Sequence, residues 1–462
     1  MRSADSILAD LLTGRVSVDA ACRLPAPDFR LRAPRSELCA PGSELPPPGE
    51  LARRARAQGI AGLLYCRLKA SGGLAALESA DAVALERRHA GQVARSAIHW
   101  PEIDRVLAAL QAAGIPFRLL KGAALALTVY DDPAERPMDD LDLLIPEGRV
   151  DEAVRILGTL GYEHSEHVAP PKVRGTERLV NTHVCLLGPP PASLVCELHW
   201  TLVAPRESRY SPDIGWFWEE EEEDQGTKGP GGSVSGGQRS EVSERADDAS
   251  SLRAPPSGLH APGSGLRVPS YLLPPTQQLL HLCAHLMLQH PGRERKLIWF
   301  YDIHTLMRTK ETGEQETEGQ KDKGTNGPSV SELRAPCSMP IDWDVFVTQA
   351  VRFHWTAAAH AALAETQALF GMPLPDGLLD RLRAGTAARD AFELGRRAGA
   401  TTMWDATLYA LRAQTWSARI RTVIGILFPS RDYFAWRYPK SSGASRWSLY
   451  RRRWRTLGKP RK

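Results

Sequence analysis

The sequence has few cysteines, and they show no pairing pattern. Its 462 residues contain 7 cysteines, and no two of them form a CxxC motif. An odd number of cysteines scattered over a long chain is a poor basis for a disulfide framework. We therefore expect reduced thiols and a cytoplasmic protein.

Long hydrophobic runs are also missing. Apolar stretches such as TVIGILF at 422–428 are far shorter than the roughly 20 residues that a membrane-spanning helix needs. The N-terminal MRSADSILADLLTG carries acids inside its short apolar stretch, so it does not resemble a signal peptide. The sequence predicts a soluble protein with no membrane span.

Acidic residues are absent from the C-terminal tail. Residues 433–462 contain ten Lys or Arg and no Asp or Glu, while the whole chain has a formal charge of +4, which leaves −6 on the rest. Arg residues are mixed with Trp and Tyr in SRWSLYRRRWR, as in segments that bind nucleic acids or membrane surfaces. Nucleic acid is therefore a possible partner, and a solvated tail is the alternative.

A short Pro-rich unit divides the chain. LRAPRSEL begins at Leu31, LRAPPSGL begins at Leu252, and SELRAPCS covers 331–338. Irregular spacing excludes a solenoid and indicates disordered, low-complexity inserts. The resulting map has seven parts: a helical region at 1–110 with an insert near 29–49, an α/β core at 111–205, a disordered linker at 206–270, helices at 271–308, a disordered insert at 309–340, helices at 341–432, and the basic tail at 433–462.

The segment RPMDDLDLLI at 136–145 has acids in a strand-like pattern. Residues i and i+2 of a strand point to the same side, so Asp140 and Asp142 share one face while Leu141 and Leu143 face a core. Asp139 lies on the opposite face and is expected to cap or form a salt bridge. Two carboxylates side by side require a positive partner. The alternative is a solvated edge strand.

Glu197 is a lone acid inside the later apolar strand LVCELHWTLV, which begins at Leu194. If this strand neighbours the first, Asp140, Asp142 and Glu197 form a cluster able to hold two Mg²⁺ ions, with Mn²⁺ as a substitute. Two metals on shared carboxylates suit in-line displacement at phosphorus. The alternative for Glu197 is a buried salt bridge with an arginine.

The segment IPFRLLKGAALALTVY reads as a short strand, a turn and an apolar helix. The turn at Lys121, Gly122 and Ala123 offers backbone N–H groups and a positive helix end to nucleotide phosphates. Lys121 and Arg136 add charge-assisted contacts in the same interpretation. Lys121 as a solvated turn residue, and Arg136 paired with a neighbouring acid, are the alternatives.

These motifs carry a family resemblance. LLKGAALALTVY, RPMDDLDLLI, GTLGYE and CELHW, in this order, resemble the uncharacterised nucleotidyltransferase family, a branch of the DNA polymerase β-like nucleotidyltransferase superfamily. The resemblance implies a turn glycine at Gly122, an Asp-x-Asp pair at Asp140 and Asp142, and a third acid at Glu197. It also implies an α+β fold, in which a small mixed sheet with flanking helices is joined by N- and C-terminal helical regions.

His281 and His285 in HLCAHLMLQH, with Asp302 and His304 in WFYDIHTL, offer a competing Zn²⁺ site. His281 and His285 lie one helical turn apart, but the segment lacks the acid of HExxH and a further ligand at metal-like spacing. We expect core histidines or contacts to substrate here. His199 shares the strand face of Glu197 and is a candidate for orienting a carboxylate.

The sequence thus predicts an Mg²⁺-dependent enzyme that moves a nucleoside monophosphate from a nucleoside triphosphate, ATP among them, to an acceptor hydroxyl and releases pyrophosphate. The acceptor class, whether protein, sugar or small molecule, is left open. The alternative function is a catalytically silent module that binds nucleotide or a partner on the same fold.

Overall fold

A computed structural model of the chain defines its architecture. It describes residues 4–15, 49–164, 181–219, 271–290, 295–308, 340–398, 408–409, 411–430, 434 and 445–456. Residues 1–219 and 268–462 belong to one compact unit, and all described residues lie in it; the second unit, 220–267, lies outside them. The predicted inserts near 29–49, at 220–270 and at 309–340 also fall almost entirely outside the described residues.

One mixed sheet organises the central part of the chain. Its strands, among the described residues, are β1 (Arg118–Leu119), β2 (Asp140–Leu144), β3 (Glu163–His164), β4 (His183–Leu187) and β5 (Val195–His199). Their order across the sheet is β1-β2-β5-β4-β3. Only the β2–β5 pair is parallel; the other three pairs are antiparallel.

Helices surround this sheet. They are α1 (Ala4–Leu12), α2 (Glu50–Ala57), α3 (Ala61–Ala70), α4 (Ser79–Ala112), α5 (Lys121–Thr128), α6 (Val150–Thr159), α7 (Pro275–Ala284), α8 (Leu297–Arg308), α9 (Trp343–Arg352), α10 (Thr356–Phe370), α11 (Leu378–Ala384), α12 (Ala388–Ala398), α13 (Trp416–Leu427) and α14 (Arg446–Thr456). A π-helical turn, His285–Gln289, extends α7. The predicted α+β fold with flanking helical regions is confirmed.

Two apolar cores hold these elements together. The first lies on the side of the sheet that the leucines of β2 face, where Leu141 and Leu143 pack with Leu107 of α4 and Leu157 of α6. The second lies among the helices and includes α1, α3, α7, α8 and α10. Because β2 alternates aspartate with leucine from Asp140 to Leu143, Leu141 and Leu143 face the first core and the two aspartates face the other side, where Leu144 joins the second core.

The helix pattern at 50–70 breaks at a glycine. Gly59 has φ +74°, and a Cβ at this position would lie 2.9 Å from Cγ2 of Ile298. Both the left-handed backbone and the close approach of α8 favour glycine here. One predicted helical stretch therefore becomes α2 and α3.

Residues 206–219 differ from the sequence expectation, which placed them in the linker. Phe217 is fully buried, the Tyr210 hydroxyl donates to Asp390 at 3.1 Å, and Trp355 Nε1 donates to the Tyr210 carbonyl at 2.9 Å. The segment is short and rich in Ser, Pro and Arg, but its aromatic residues anchor it to the C-terminal helices.

The basic tail contains a helix where the structure describes it. Tyr450 and Trp454 of α14 make edge-to-face contacts with Phe428, at ring-centroid distances of 5.7 and 5.8 Å. The aromatic residues of this helix thus pack on the end of α13, while Arg451, Arg452 and Arg455 are exposed. No helix among the described residues combines the length and apolar character needed to cross a bilayer.

Candidate active site

Strand pairing places three acids on one face of the sheet. In the parallel register, Asp142 lies opposite Glu197, and Asp140 lies opposite Val195. Since side chains alternate along each strand, Asp140, Asp142 and Glu197 project to the same side. On the reverse side, Leu141 and Leu143 are fully buried.

The three carboxylates are close enough to share a cation. One oxygen from each of Asp140, Asp142 and Glu197 lies within 4.8 Å of the others. Asp142 is 2% exposed, and the other two acids are partly buried. Carboxylates brought together away from water repel one another unless a positive charge is near.

Lys121 supplies a positive charge at this cluster. Its Nζ lies 2.6 Å from Oδ1 of Asp142 and 3.9 Å from Oε2 of Glu197. The residue has φ 48°, a conformation that is uncommon for a residue with a side chain and that tends to occur at functional sites. The first residue of α5 therefore directs its ammonium group at the carboxylates.

The pKa values of the two aspartates in the cluster are shifted in opposite directions. Burial, reinforced by the neighbouring Asp142, raises the pKa of Asp140 to about 7. Burial also acts on Asp142, but the ammonium of Lys121 and the hydrogen bond from His199 outweigh it and hold the pKa of Asp142 well below its usual range. Asp142 is thus ionised at neutral pH, whereas Asp140 is protonated in about half of the molecules at pH 7, and an arriving cation would displace that proton.

Two histidines border the acids. His199 Nε2 lies 2.8 Å from Oδ1 of Asp142 and 3.3 Å from Oε2 of Glu197. On the adjacent β4, His183 Nε2 lies 3.4 Å from Oε1 of Glu197. Burial, followed by the effect of His199, lowers the pKa of His183 to about 4, so its imidazole is neutral at pH 7. The sequence pointed to His199 but not to His183.

These residues form the floor of a cavity of about 520 Å³. Its opposite wall is formed by the π-helical turn and α8, through His285, Gln289, His290 and Trp299. The His290 and Trp299 rings lie 4.3 Å apart between centroids. A cavity of this size, with acids on its floor and aromatic rings on its wall, can accommodate a nucleotide.

Besides Arg136, three arginines line the cavity. Arg56 lies on α2, and Arg88 and Arg95 lie on α4. Partial burial, together with the like charges of Arg56 and Arg95, lowers the pKa of Arg88. Arg95 Nη1 contacts Asp139 at 3.0 Å. The like charges of these guanidinium groups repel one another and form a positive region of the cavity that suits an anionic group.

A comparison with known families assigns this site to a class. The model of the uncharacterised nucleotidyltransferase family matches residues 46–317, more than half of the 462 residues. The chain belongs to this family. The matched span includes the whole sheet, the acid cluster and both cavity walls. No curated protein and no solved structure matches the chain.

Within this nucleotidyltransferase, the turn residues predicted to bind phosphate have different surroundings. Gly122 lines the cavity, and a Cβ there would lie 3.7 Å from both Arg136 Nη1 and Met138 Cγ, an ordinary contact distance. Ala123 is buried in the core beneath the sheet. Both residues belong to the first turn of α5, whose N–H groups lie at its positive end. Their role in binding nucleotide stays a prediction.

Arg136 is held by a buried acid from α8. Its Nε donates to Asp302 Oδ1 at 2.8 Å and its Nη2 donates to Oδ2 at 2.7 Å. Tyr130 donates its hydroxyl to Oδ1 of the same carboxylate at 2.7 Å. The bidentate pair occupies the Nε–Nη2 edge of the guanidinium, which favours the alternative in which Arg136 pairs with an acid. Sequence reasoning had no signal for this partner, because it lies 166 residues away.

The histidines of α7 and its extension occupy different environments. His281 is fully buried, and burial lowers its pKa to about 3. His285 lines the cavity, and its Nε2 lies 3.2 Å from Nε2 of His290. Among the described residues, the groups able to hold a metal are Asp140–Asp142–Glu197 and His183–Glu197–His199. Neither contains His281 or His285, so the competing metal site gains no support.

Proposed function

We propose that this protein is a metal-dependent nucleotidyltransferase that moves a nucleoside monophosphate from a nucleoside triphosphate to an acceptor hydroxyl. One observation carries the proposal: carboxylates from two parallel strands converge within 4.8 Å on the floor of a nucleotide-sized cavity. In the reaction, the acceptor oxygen forms a bond to the α-phosphorus, and the bond from that phosphorus to the leaving pyrophosphate breaks.

The carboxylates fit divalent cations. Asp140, Asp142 and Glu197 provide oxygen ligands of the kind that Mg²⁺ prefers, and Lys121 now supplies part of the positive charge that such ions would bring. When bound, two Mg²⁺ ions, or Mn²⁺ in their place, would lower the pKa of the acceptor hydroxyl and neutralise charge on the leaving group. The raised pKa of Asp140 supports this fit, because it reflects a buried carboxylate whose acidic neighbours are not fully neutralised.

The remaining residues position and neutralise the substrate. A carboxylate of the cluster accepts the proton that the acceptor hydroxyl loses. The first turn of α5 at Gly122 faces the phosphates with backbone N–H groups, and Lys121 moves from Asp142 to a phosphate oxygen once metal takes its place. Arg56, Arg88 and Arg95 neutralise the terminal phosphates at the cavity rim. Arg136 keeps α8 against the strand that carries the aspartates.

A silent nucleotide-binding module is the second candidate. The contact of Lys121 Nζ with Asp142 at 2.6 Å favours it, because an ammonium group that stays on the carboxylate would compete with a metal ion. The two functions differ in whether a labelled monophosphate reaches an acceptor.

The experiment uses the full chain with ATP, CTP, GTP or UTP labelled on the α-phosphate, Mg²⁺ or Mn²⁺, and a cell extract as the source of acceptor. We expect label to enter one acceptor class and pyrophosphate to be released. Asp140→Asn/Asp142→Asn should reduce transfer at least about a hundredfold. The matched control is Asp139→Asn, which removes a neighbouring carboxylate whose side chain is 80% exposed.

The outcomes separate the candidates. Transfer in wild type and Asp139→Asn, but not in the double variant, supports the enzyme. Undiminished transfer in the double variant excludes this cluster as the site. Nucleotide binding without transfer or pyrophosphate release, with any of the four triphosphates, identifies the silent module.

A further inference from the structure

A second group of metal ligands shares Glu197 with the acid cluster. His183 of β4 lies directly opposite His199 of β5 in the antiparallel register, and their ring centroids are 4.7 Å apart. Both rings are on the face of the sheet that carries the acids, since His199 lies two residues after Glu197 on one strand. One donor atom from each of His183, Glu197 and His199 lies within 4.8 Å of the others.

Glu197 divides its two oxygens between these histidines. Oε1 lies 3.4 Å from His183 Nε2, and Oε2 lies 3.3 Å from His199 Nε2. Metal bonds to imidazole nitrogen and carboxylate oxygen are about 2.0–2.2 Å long, which puts neighbouring donors about 3.0–3.6 Å apart around one ion. Both distances fall in this range and exceed the usual hydrogen-bond length. The spacing therefore suits a shared ion better than a direct hydrogen bond.

We propose that His183, Glu197 and His199 form a distinct cation position that prefers a transition metal, such as Mn²⁺ or Zn²⁺, over Mg²⁺. Imidazole nitrogen suits transition metals, whereas Mg²⁺ prefers oxygen ligands. The site then has two unlike positions that share Glu197, one with three carboxylates and one with two imidazoles and a carboxylate. This inference deepens the proposed function, on which its catalytic meaning rests; the binding itself does not require turnover.

The arrangement of partners agrees with this assignment. His183 presents its Nε2 to Oε1 of Glu197. His199 is 4% exposed and is held against Asp142 in the metal-free protein. Glu197 is the member that can bridge the two positions, since it belongs to both groups.

The test detects nitrogen ligands directly. Full-length protein is loaded with Mn²⁺ alone, without nucleotide, and measured by pulsed electron paramagnetic resonance, which reports ¹⁴N nuclei bound to the ion. We expect ¹⁴N modulation in wild type and its loss in His183→Gln/His199→Gln. Glutamine keeps a polar amide near each ring position, and circular dichroism with thermal melting verifies folding. His164→Ala, which removes an exposed strand histidine, is the matched control and should keep the modulation.

Calorimetry with Mn²⁺, Zn²⁺ and Mg²⁺ gives the second readout. His183→Gln alone should weaken Mn²⁺ and Zn²⁺ binding at least about tenfold and change Mg²⁺ binding less than about twofold. Wild-type protein without ¹⁴N modulation, or equal affinities in wild type and His183→Gln, overturns the inference. If Mn²⁺ binds nitrogen but no monophosphate is transferred, the proposed function is rejected and this cation position is kept. If monophosphate is transferred but Mn²⁺ binds only oxygen, the proposed function is kept and this cation position is rejected.

Discussion

Breaking the Arg136–Asp302 pair should strongly destabilise the protein. The two side chains are 9% and 2% exposed, and three hydrogen bonds of 2.7–2.8 Å converge on the Asp302 carboxylate. Asp302→Asn keeps the shape but leaves the guanidinium buried without a counter-charge. Losing one partner of a buried pair costs about 3–5 kcal/mol, which corresponds to a fall in Tm of about 3–8 °C for a unit of this size.

Thermal denaturation followed by calorimetry or circular dichroism measures this effect. The matched control is Asp344→Asn, which removes the same group from the Arg381–Asp344 pair, whose side chains are 47% and 86% exposed. An exposed pair contributes about 0–1 kcal/mol, so this variant should melt close to wild type. A Tm for Asp302→Asn as high as that of Asp344→Asn would refute the reasoning.

The double variant Arg136→Met/Asp302→Asn distinguishes a structural arginine from a phosphate ligand. Removing both charges should recover most of the lost stability, and the amide still accepts from Tyr130. If Arg136 only joins α8 to the β2 region, the double variant should bind a nucleoside triphosphate within about twofold of wild type. Restored Tm with affinity reduced more than about tenfold would assign Arg136 to the phosphates after all.

Four further outcomes follow from the structure. The pKa of Asp140 is raised to about 7. Divalent-metal affinity measured by calorimetry should therefore rise about tenfold per pH unit up to that pH and then stay constant. In Asp140→Asn the affinity should depend much less on pH. In the metal-free protein the folded state holds this proton more tightly than the unfolded state, so stability should fall as pH rises from about 4 to 7; a rising Tm would contradict the assignment. Gly59→Ala should destabilise the protein by about 1–3 kcal/mol in urea denaturation, because φ is +74° and Ile298 lies 2.9 Å from the added methyl. Gly91→Ala, whose added methyl would meet open space on α4, should not destabilise it. Replacing the exposed Arg451, Arg452 and Arg455 with alanine should weaken binding of a single-stranded oligonucleotide and reduce its salt dependence; unchanged binding would remove nucleic acid as a partner of the tail.

Local pattern was enough to predict the strand that carries the aspartates. The alternation in DLDL predicts Asp140 and Asp142 on one face and Leu141 and Leu143 on the other, and β2 at Asp140–Leu144 has this arrangement at these four positions. Glu197 was selected as an acid out of place in an apolar strand, and β5 does lie beside β2. Periodicity of two residues is a local property of the chain, so these features could be predicted from sequence.

Features that depend on partners far away in sequence were missed. The contact of the Lys121 ammonium with Asp142 was not predicted, and the expected contact of Lys121 with nucleotide phosphates stays a prediction. Arg136 finds its acid 166 residues away. His183 is the first residue of β4 (His183–Leu187), a strand that no strong sequence pattern marked. Local sequence patterns do not reveal such contacts, because tertiary packing and not local propensity decides them.

The parallel pairing of β2 with β5 has a consequence for the timing of folding. Asp142 and His199 are separated by 57 residues, so the chain must close a long loop before any oxygen of β2 meets a ligand from β5. A nascent chain on the ribosome could therefore not bind a cation at the proposed site with native affinity until Glu197 and His199 have left the exit tunnel. An ion held only by the native arrangement would then stabilise the paired strands, so cation capture would follow the pairing of β2 with β5 during synthesis.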